Sequence, residues 1–350
     1  MTGAERLLAA CRREPVDATP VWFMRQSGGS LPAYLALRER HSVIEIARTP
    51  ALCAEVTTGA AEALGTDGAV MFADILLPVE AMGVGLELTA AGPIIDRPIR
   101  TADDVARLRA VDVGADLGFV IQAIGLVRAS LGDRAAVIGI CGGPFTLAAY
   151  LIEGGPSRDH LAAKRVAFGA PDVWAALLDG LTDVSVDYVR AQAVAGAQVI
   201  QVFDSWAGAL GPADYDRLVA PWTARILEAI RTAGVPAIHF AASGAALLDR
   251  LAVGADVVSV DHGQSLAEVR RRLGPSVAVQ GNLDPARLAA GRSALVDGVE
   301  DILAAVGPAP GHVFNAGHAV PRETPPALLR DVVSLVHDRT AARSAVRVAS

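Results

Sequence analysis

Short apolar runs alternate with longer amphipathic stretches along nearly the whole chain. The runs are Val21–Met24, Ala69–Phe72, Ala136–Ile140, Gln198–Phe203, Pro236–Phe240, Val257–Val260, Val277–Gln280 and His312–Asn315. They are too short for helices, and β-branched and aliphatic residues fill them almost continuously, as in parallel strands covered on both faces. Between them, apolar residues recur at spacings of three and four over Pro50–Leu64, Asp172–Ala195, Pro212–Thr232, Leu266–Leu273 and Pro325–Val336, the period of a helix with one buried side. Ser265 and Thr324-Pro325-Pro326 mark helix starts, where a side-chain oxygen can accept from free N–H groups and proline gives up no bond. Strand–helix alternation with short links predicts an α/β fold in which right-handed crossovers close a parallel sheet into a (β/α)8 TIM barrel. Residues 1–340 read as a single domain and residues 341–350 as a disordered tail.

One connection is too long for a simple crossover. Residues 76–134, after the second run, contain extended segments (Gly85–Thr89, Pro93–Arg97) and helical ones (Thr101–Ala110, Leu117–Leu131). Such a long insertion leaves a strand at its carboxyl end, so it is expected to overhang the barrel mouth and wall the cleft.

Composition narrows the function. Hydrophobic content of 52% and a mean hydropathy of +0.38 are high, but alanine and glycine supply much of both. No apolar stretch reaches the roughly 18 residues that cross a bilayer, and the charged amino terminus lacks a signal-peptide core. A cytoplasmic protein without a membrane partner is expected. The net charge of −7 gives no basic footprint for nucleic acid. Lys164 is the sole lysine and lies in a helical stretch, His160–Gly169; Schiff-base chemistry, which needs a lysine at a strand end, is excluded. Cys11, Cys53 and Cys141 lack metal-ligand spacing and read as reduced, buried residues; Cys141, just past a strand, is the one candidate for a thiol role.

A barrel keeps its chemistry just beyond the carboxyl end of each strand. Arg25 and Gln26 leave the first run and enter a loop with Ser27, Gly28 and Gly29. The guanidinium offers a planar fork for carboxylate or phosphate, or pairs with a neighbouring acid. Asp74 stands in the apolar segment MFADILLP, where an unpaired carboxylate costs several kcal/mol; its partner is either Arg25 or donors on a ligand. Gly142 and Gly143 would let backbone approach a bulky ligand, or serve the turn geometry alone, and spacings of three and four allow Thr146, Tyr150 and Glu153 to share a helical face. Asp204 and Ser205 end the fourth run without nucleophile-elbow spacing, which favours hydrogen bonding over covalent catalysis. His318 at the last junction is placed to bind an anion, to move a proton, or simply to face solvent.

In order, PVWFMRQ, FADIL, GGPFTLAAYLIEGG, FDSWAG, QGNLDP and FNAGHAVPRETPP resemble the uroporphyrinogen decarboxylase family from about Pro20 to Leu335. The resemblance implies a (β/α)8 barrel that forms a homodimer and acts as a carboxy-lyase. Such an enzyme removes carbon dioxide from the four acetates of uroporphyrinogen III and leaves coproporphyrinogen III for haem synthesis. It also implies that no metal and no organic cofactor is needed. By the same resemblance Arg25 and His318 hold substrate carboxylates. Asp74 lies beneath the pyrrole NH groups and, with Arg25, is catalytic; Tyr150, Ser205 and the loop residues Gln26, Ser27, Gly28 and Gly29 contact substrate.

The first loop departs from the family's MRQAGR and Leu-Pro-Glu-Tyr-Arg pattern: Gly29, Ala33 and Leu35 stand where charged residues are usual. One arginine–carboxylate contact contributes about 1.5–3 kcal/mol, roughly ten- to hundredfold. The departure is compatible with a decarboxylase compensated by Arg38 or Arg322, a paralogue with a less acidic substrate, or a tetrapyrrole-binding barrel without chemistry. If the loop is otherwise intact, Gly29→Arg is expected to raise activity. The related cobalamin-dependent methyltransferases would need a His-x-Cys zinc pair, and the comparable place here reads His239-Phe240-Ala241.

Overall fold

The computed structural model describes residues 1–24, 26, 29–89 and 92–348. Its strands are β1 (Gly68–Val70), β2 (Leu86–Thr89), β3 (Gly92–Ile95), β4 (Ala136–Gly142), β5 (Val199–Phe203), β6 (Ala237–Phe240), β7 (Val257–Ser259), β8 (Ala278–Gln280) and β9 (His312–Val313). Seven of them form one parallel sheet in the order β1-β4-β5-β6-β7-β8-β9, with registers such as Ile138↔Val199 and Val257↔Ala278. The sheet curls. Val70, Ile138, Ile140, Val199, Ile238, Val257, Ala278 and Val313 meet on its inner face with Trp22, and Ala4 and Leu7 of the first helix, Gly3–Cys11, belong to the same cluster. Ala69, Val137, Ile200 and Val202 on the outer face pack with helix residues such as Val127, Tyr188 and Ile226.

The inner face is not wholly apolar. Trp22 donates through Nε1 to Gln280 Oε1 at 2.8 Å, and Gln280 Nε2 donates to Gln201 Oε1 and Ser259 Oγ at 2.9 Å each. These bonds make polar groups tolerable in the interior.

The first apolar run does not form the expected strand. Val21 makes an isolated bridge to Phe314. Phe314 N–H donates to the Pro20 carbonyl at 2.8 Å, and Asp67 N–H to the Val21 carbonyl at 2.8 Å. The segment is therefore hydrogen-bonded just past β9 and just before β1. Proline has no N–H for a ladder, and the chain turns where Gln26 N–H meets the Phe23 carbonyl, so the pairing stays one residue long.

Helices fall where the periodicity places them, at Pro50–Leu64, Pro171–Ala195 and Leu266–Leu273. Ser265 caps the last of these by accepting from Glu268 N–H. The stretch Pro212–Thr232 is two helices, Pro212–Leu218 and Ala220–Thr232, broken at Val219. Pro221 cannot donate to the Arg217 carbonyl and its ring crowds that turn, so a new helix starts around it. The final helix runs Pro326–Val348, past residue 341 where the tail was expected to begin.

Between β1 and β4 lie the helix Leu77–Ala81, the antiparallel hairpin β2–β3 and the helices Ala102–Ala106, Val113–Asp116 and Gly118–Leu131. The last packs against Pro50–Leu64 and Pro171–Ala195 as an ordinary crossover helix. The stretch expected helical over Thr101–Ala110 keeps only Ala102–Ala106, closed at its start by a Thr101–Asp104 capping box. No helix among the described residues is long and apolar enough to cross a membrane.

Candidate active site

Parallel strands deliver all their carboxyl ends to one end of the sheet. Asp74 follows β1 there, the helix Pro144–Glu153 follows β4, and Ser205 follows β5; these three strands are neighbours. Asp74 is half-buried rather than sunk in an apolar wall. Its Oδ1 accepts from Leu76 N–H at 2.9 Å, an Asx turn that orients the carboxylate just before a short helix. The fully buried Tyr188 phenol lies close enough for the Asp74 charge to add to the burial that raises its pKa.

At the glycine pair Gly142–Gly143, where β4 ends, protein side chains occupy the space a Cβ would take. A Cβ at Gly143 would stand 2.2 Å from the Asp204 Cβ, and one at Gly142 2.4 Å from a Leu147 methyl. Gly143 is the N-cap of Pro144–Glu153 and has no capping side chain. Asp204, 0% exposed, does that work from the neighbouring strand: its Oδ1 accepts from Thr146 N–H and Oγ1, each at 2.9 Å. Burial pushes the Asp204 carboxyl up to about 6, against the pull of the Thr146 and Phe145 donors at the helix start.

Thr146, Tyr150 and Glu153 do share a helix, but they have different jobs. Thr146 is buried on Asp204. Glu153 Oε1 accepts from Ala163 N–H at 3.0 Å and so caps the helix Leu161–Gly169, whose N-cap His160 gives no side-chain bond. Tyr150 stays half-buried and stacks on Trp206 with ring centroids 4.0 Å apart. His160 covers Trp206 at 4.7 Å. The motif FDSWAG displayed Asp204 and Trp206, but no spacing rule links them to Thr146 and Tyr150; only the fold does.

In the first loop, Arg25, Ser27 and Gly28 lie outside the described residues. Gln26 is 2% exposed. Its Nε2 donates to the Gly68 carbonyl at 3.1 Å and its Oε1 accepts from Phe23 N–H at 3.2 Å, so its amide braces the loop against β1. Gly29 has φ +60°, and a Cβ there would sit 2.6 Å from the Arg322 carbonyl oxygen. A side chain therefore cannot be added with the loop intact. Gly29→Arg is expected to lower unfolding stability by at least the 1–2 kcal/mol of a left-handed L-residue and to leave turnover unchanged or reduced. Urea midpoints and initial rates measured side by side check this; a faster, equally stable variant would contradict the geometry. Ala33 and Leu35 lie exposed on the helix Pro32–Arg38, and Arg38 donates to the His41 carbonyl.

His318 is exposed in the loop that follows β9. A Cβ at Gly317 would stand 2.3 Å from His262 N, so the loops after β7 and β9 touch and bring a second exposed histidine to that loop. The three cysteines and His239 are buried. Burial raises the Cys141 and Cys11 thiols to about 12 and Cys53 to about 11, which leaves them inert near neutrality. His239 is fully buried, with Nδ1 on the Leu251 carbonyl at 3.1 Å; desolvation holds it down at about 4, so it stays neutral.

The sequence matches the uroporphyrinogen decarboxylase (URO-D) family over residues 2–339. It is similar to the uroporphyrinogen decarboxylase of Syntrophotalea carbinolica, 47% identical over 95% of this chain and 96% of that one. The Streptomyces coelicolor protein of the same name is 48% identical, over 95% and 94%. Among solved structures, a methyltransferase from Methanosarcina mazei aligns with a TM-score of 0.76 over 97% of this chain and 99% of that one. At 20% identity that likeness concerns the fold alone.

Proposed function

Because the chain belongs to the uroporphyrinogen decarboxylase family, we propose that it decarboxylates uroporphyrinogen III, releasing the four acetate carboxyls as carbon dioxide to leave coproporphyrinogen III. The observation that carries this reading is the whole-length family match. Asp74, Tyr150 and Ser205, on the segments that follow three adjacent strands, support it.

The chemistry suits those residues. Losing carbon dioxide from a pyrrole acetate leaves an electron pair that must go somewhere. A pyrrole ring protonated from solvent accepts it as the carbon–carbon bond breaks. The resulting exocyclic methylene then takes up a proton while the ring releases its own, so each acetate becomes a methyl with net uptake of one proton and the macrocycle is its own electron sink. The cationic ring is stabilised by a fixed negative charge, and Asp74, oriented by its turn, supplies one while accepting the pyrrole NH bonds. Arg25 and His318 would grip acetates and propionates around it, with Tyr150 and Ser205 completing the contacts.

The reading includes closure of the sheet into an eight-unit barrel, with the segment at Val21 as its eighth member. It also includes the hairpin β2–β3 and its flanking helices as an overhanging wall, residues 1–340 as the catalytic unit, a cytoplasmic location and a homodimer. The altered loop favours compensation over a changed substrate. Ala33 and Leu35 face solvent, where a charge contributes little. At Gly29 the neighbouring backbone is that of Arg322, an exposed cation able to serve the same carboxylate. Uroporphyrinogen III incubated anaerobically with the purified protein should pass through hepta- to tetracarboxylate products. Unchanged substrate beside an active family control would overturn the assignment and leave the paralogue or the non-catalytic binder.

A further inference from the structure

Asp204 is a fully buried carboxylate, and its Oδ2 has no hydrogen-bond partner among the described residues. Leaving a charged oxygen unsatisfied is costly, so what the side chain holds together bears on function. Its Oδ1 accepts the Thr146 hydroxyl proton at 2.9 Å. That bond orients the hydroxyl so that the same Oγ1 accepts from Trp206 N–H at 3.1 Å. The Trp206 ring contacts those of Tyr150, at 4.0 Å and 35°, and His160, at 4.7 Å and 34°. Ser205 sits between Asp204 and Trp206 in the chain, with its carbonyl accepting from Ala242 N–H at 3.2 Å. One continuous set of contacts thus runs from a buried acid to the Tyr150 ring and fixes the backbone on either side of Ser205, the two residues expected to meet substrate from this wall.

We propose that Asp204 is a positioning residue: through Thr146 and Trp206 it sets the Tyr150 ring, and with it Ser205, against the substrate. The role rests on the decarboxylase reading for its catalytic consequence, but the arrangement itself is independent of it. Asp204 touches no substrate; it acts by fixing helix Pro144–Glu153 and the Ser205–Trp206 turn in one mutual placement.

A double-mutant cycle tests this. Tyr150→Phe and Asp204→Ala are each expected to reduce kcat/KM about tenfold or more, and the double variant to lose no more than the worse single. Losses that multiply to about a hundredfold would mean that Asp204 merely stabilises the fold, and the proposal falls. Asp204→Asn keeps an acceptor for Thr146 and should stay within about threefold of the parent; an asparagine variant as poor as alanine would overturn the relay. Should Asp204→Ala fail to fold, Thr146→Val breaks the same link from the other side, and its cycle with Tyr150→Phe decides by the same criterion. Near-ultraviolet circular dichroism gives a readout apart from turnover. The signal that Trp206→Phe removes from the parent should also be lost in the Asp204→Ala or Thr146→Val variant. Its retention overturns the positioning role even if the protein is active. Its loss in a protein without decarboxylase activity supports the arrangement and counts only against the activity.

Discussion

Replacing Asp74 by asparagine is expected to lower kcat on uroporphyrinogen by about 10²–10³, with KM and unfolding stability little changed. Asparagine has the shape of aspartate and keeps a carbonyl oxygen for Leu76 N–H, the bond that orients position 74 at 2.9 Å. The turn before the helix Leu77–Ala81 therefore survives the change, and so does an acceptor for a pyrrole NH. What disappears is the negative charge. In the proposed reaction that charge matters most when the ring is protonated, because the cation exists fully only near the transition state. An interaction stronger there than in the ground state acts on kcat rather than on binding. Removing one preorganised electrostatic partner typically costs 10²–10³ in rate, which sets the size. Half-burial of Asp74 keeps the expectation at that level rather than higher, since water screens part of the field. Single-turnover assays with matched urea denaturation check both halves; an asparagine variant within a few-fold of the parent rate would remove Asp74 from the mechanism.

Much of this site is legible in the amino-acid order alone, for a definite physical reason. A buried parallel strand writes itself as an aliphatic run, and its carboxyl end is where polar residues resume, so pattern alone places Asp74, Ser205 and His318 at junctions. Helices such as Pro50–Leu64 are legible through period and caps. Illegible features depend on contacts distant in sequence. Nothing in MRQ says that the Gln26 amide turns inward to the Gly68 carbonyl. Nothing in GGPFT says that Gly143 lacks a side chain because Asp204 occupies its place. The run at Val21 shows the limit of periodicity itself: it is apolar enough for a strand, but Pro20 and the turn at Gln26 restrict it to a single bridge. The break at Val219 was within reach, since Pro221 announces it; the apolar spacing hid it by continuing across the gap.

The opposite end of the sheet should respond in the opposite way. Asp67 immediately precedes β1, with its side chain only 3% exposed. Oδ1 meets Arg6 Nη1 at 2.5 Å, while Oδ2 accepts from Val21 N–H at 2.7 Å and faces His337 Nε2 at 2.8 Å. One carboxylate thereby ties the first helix, the segment bonded to both sheet edges and the last helix to β1. Alanine at this position strands a buried N–H and removes the inner partner of Arg6, whose side chain is only 14% exposed. Breaking a buried pair from one side costs about 3–5 kcal/mol, of which the Val21 N–H accounts for about 1–3. Arg6 retains Asp17, at 2.7 Å, which favours the lower part of that range. Asp17 itself is 44% exposed, so Asp17→Ala should cost no more than about 1 kcal/mol and serves as the control. Because Asp74, Ser205 and His318 lie at the other end of the strands, Asp67→Ala protein that remains folded should turn over at the parent rate. Equilibrium urea unfolding separates the two variants. A loss below about 1 kcal/mol for Asp67→Ala would show that the first helix, β1 and the last helix are held by their apolar contacts alone.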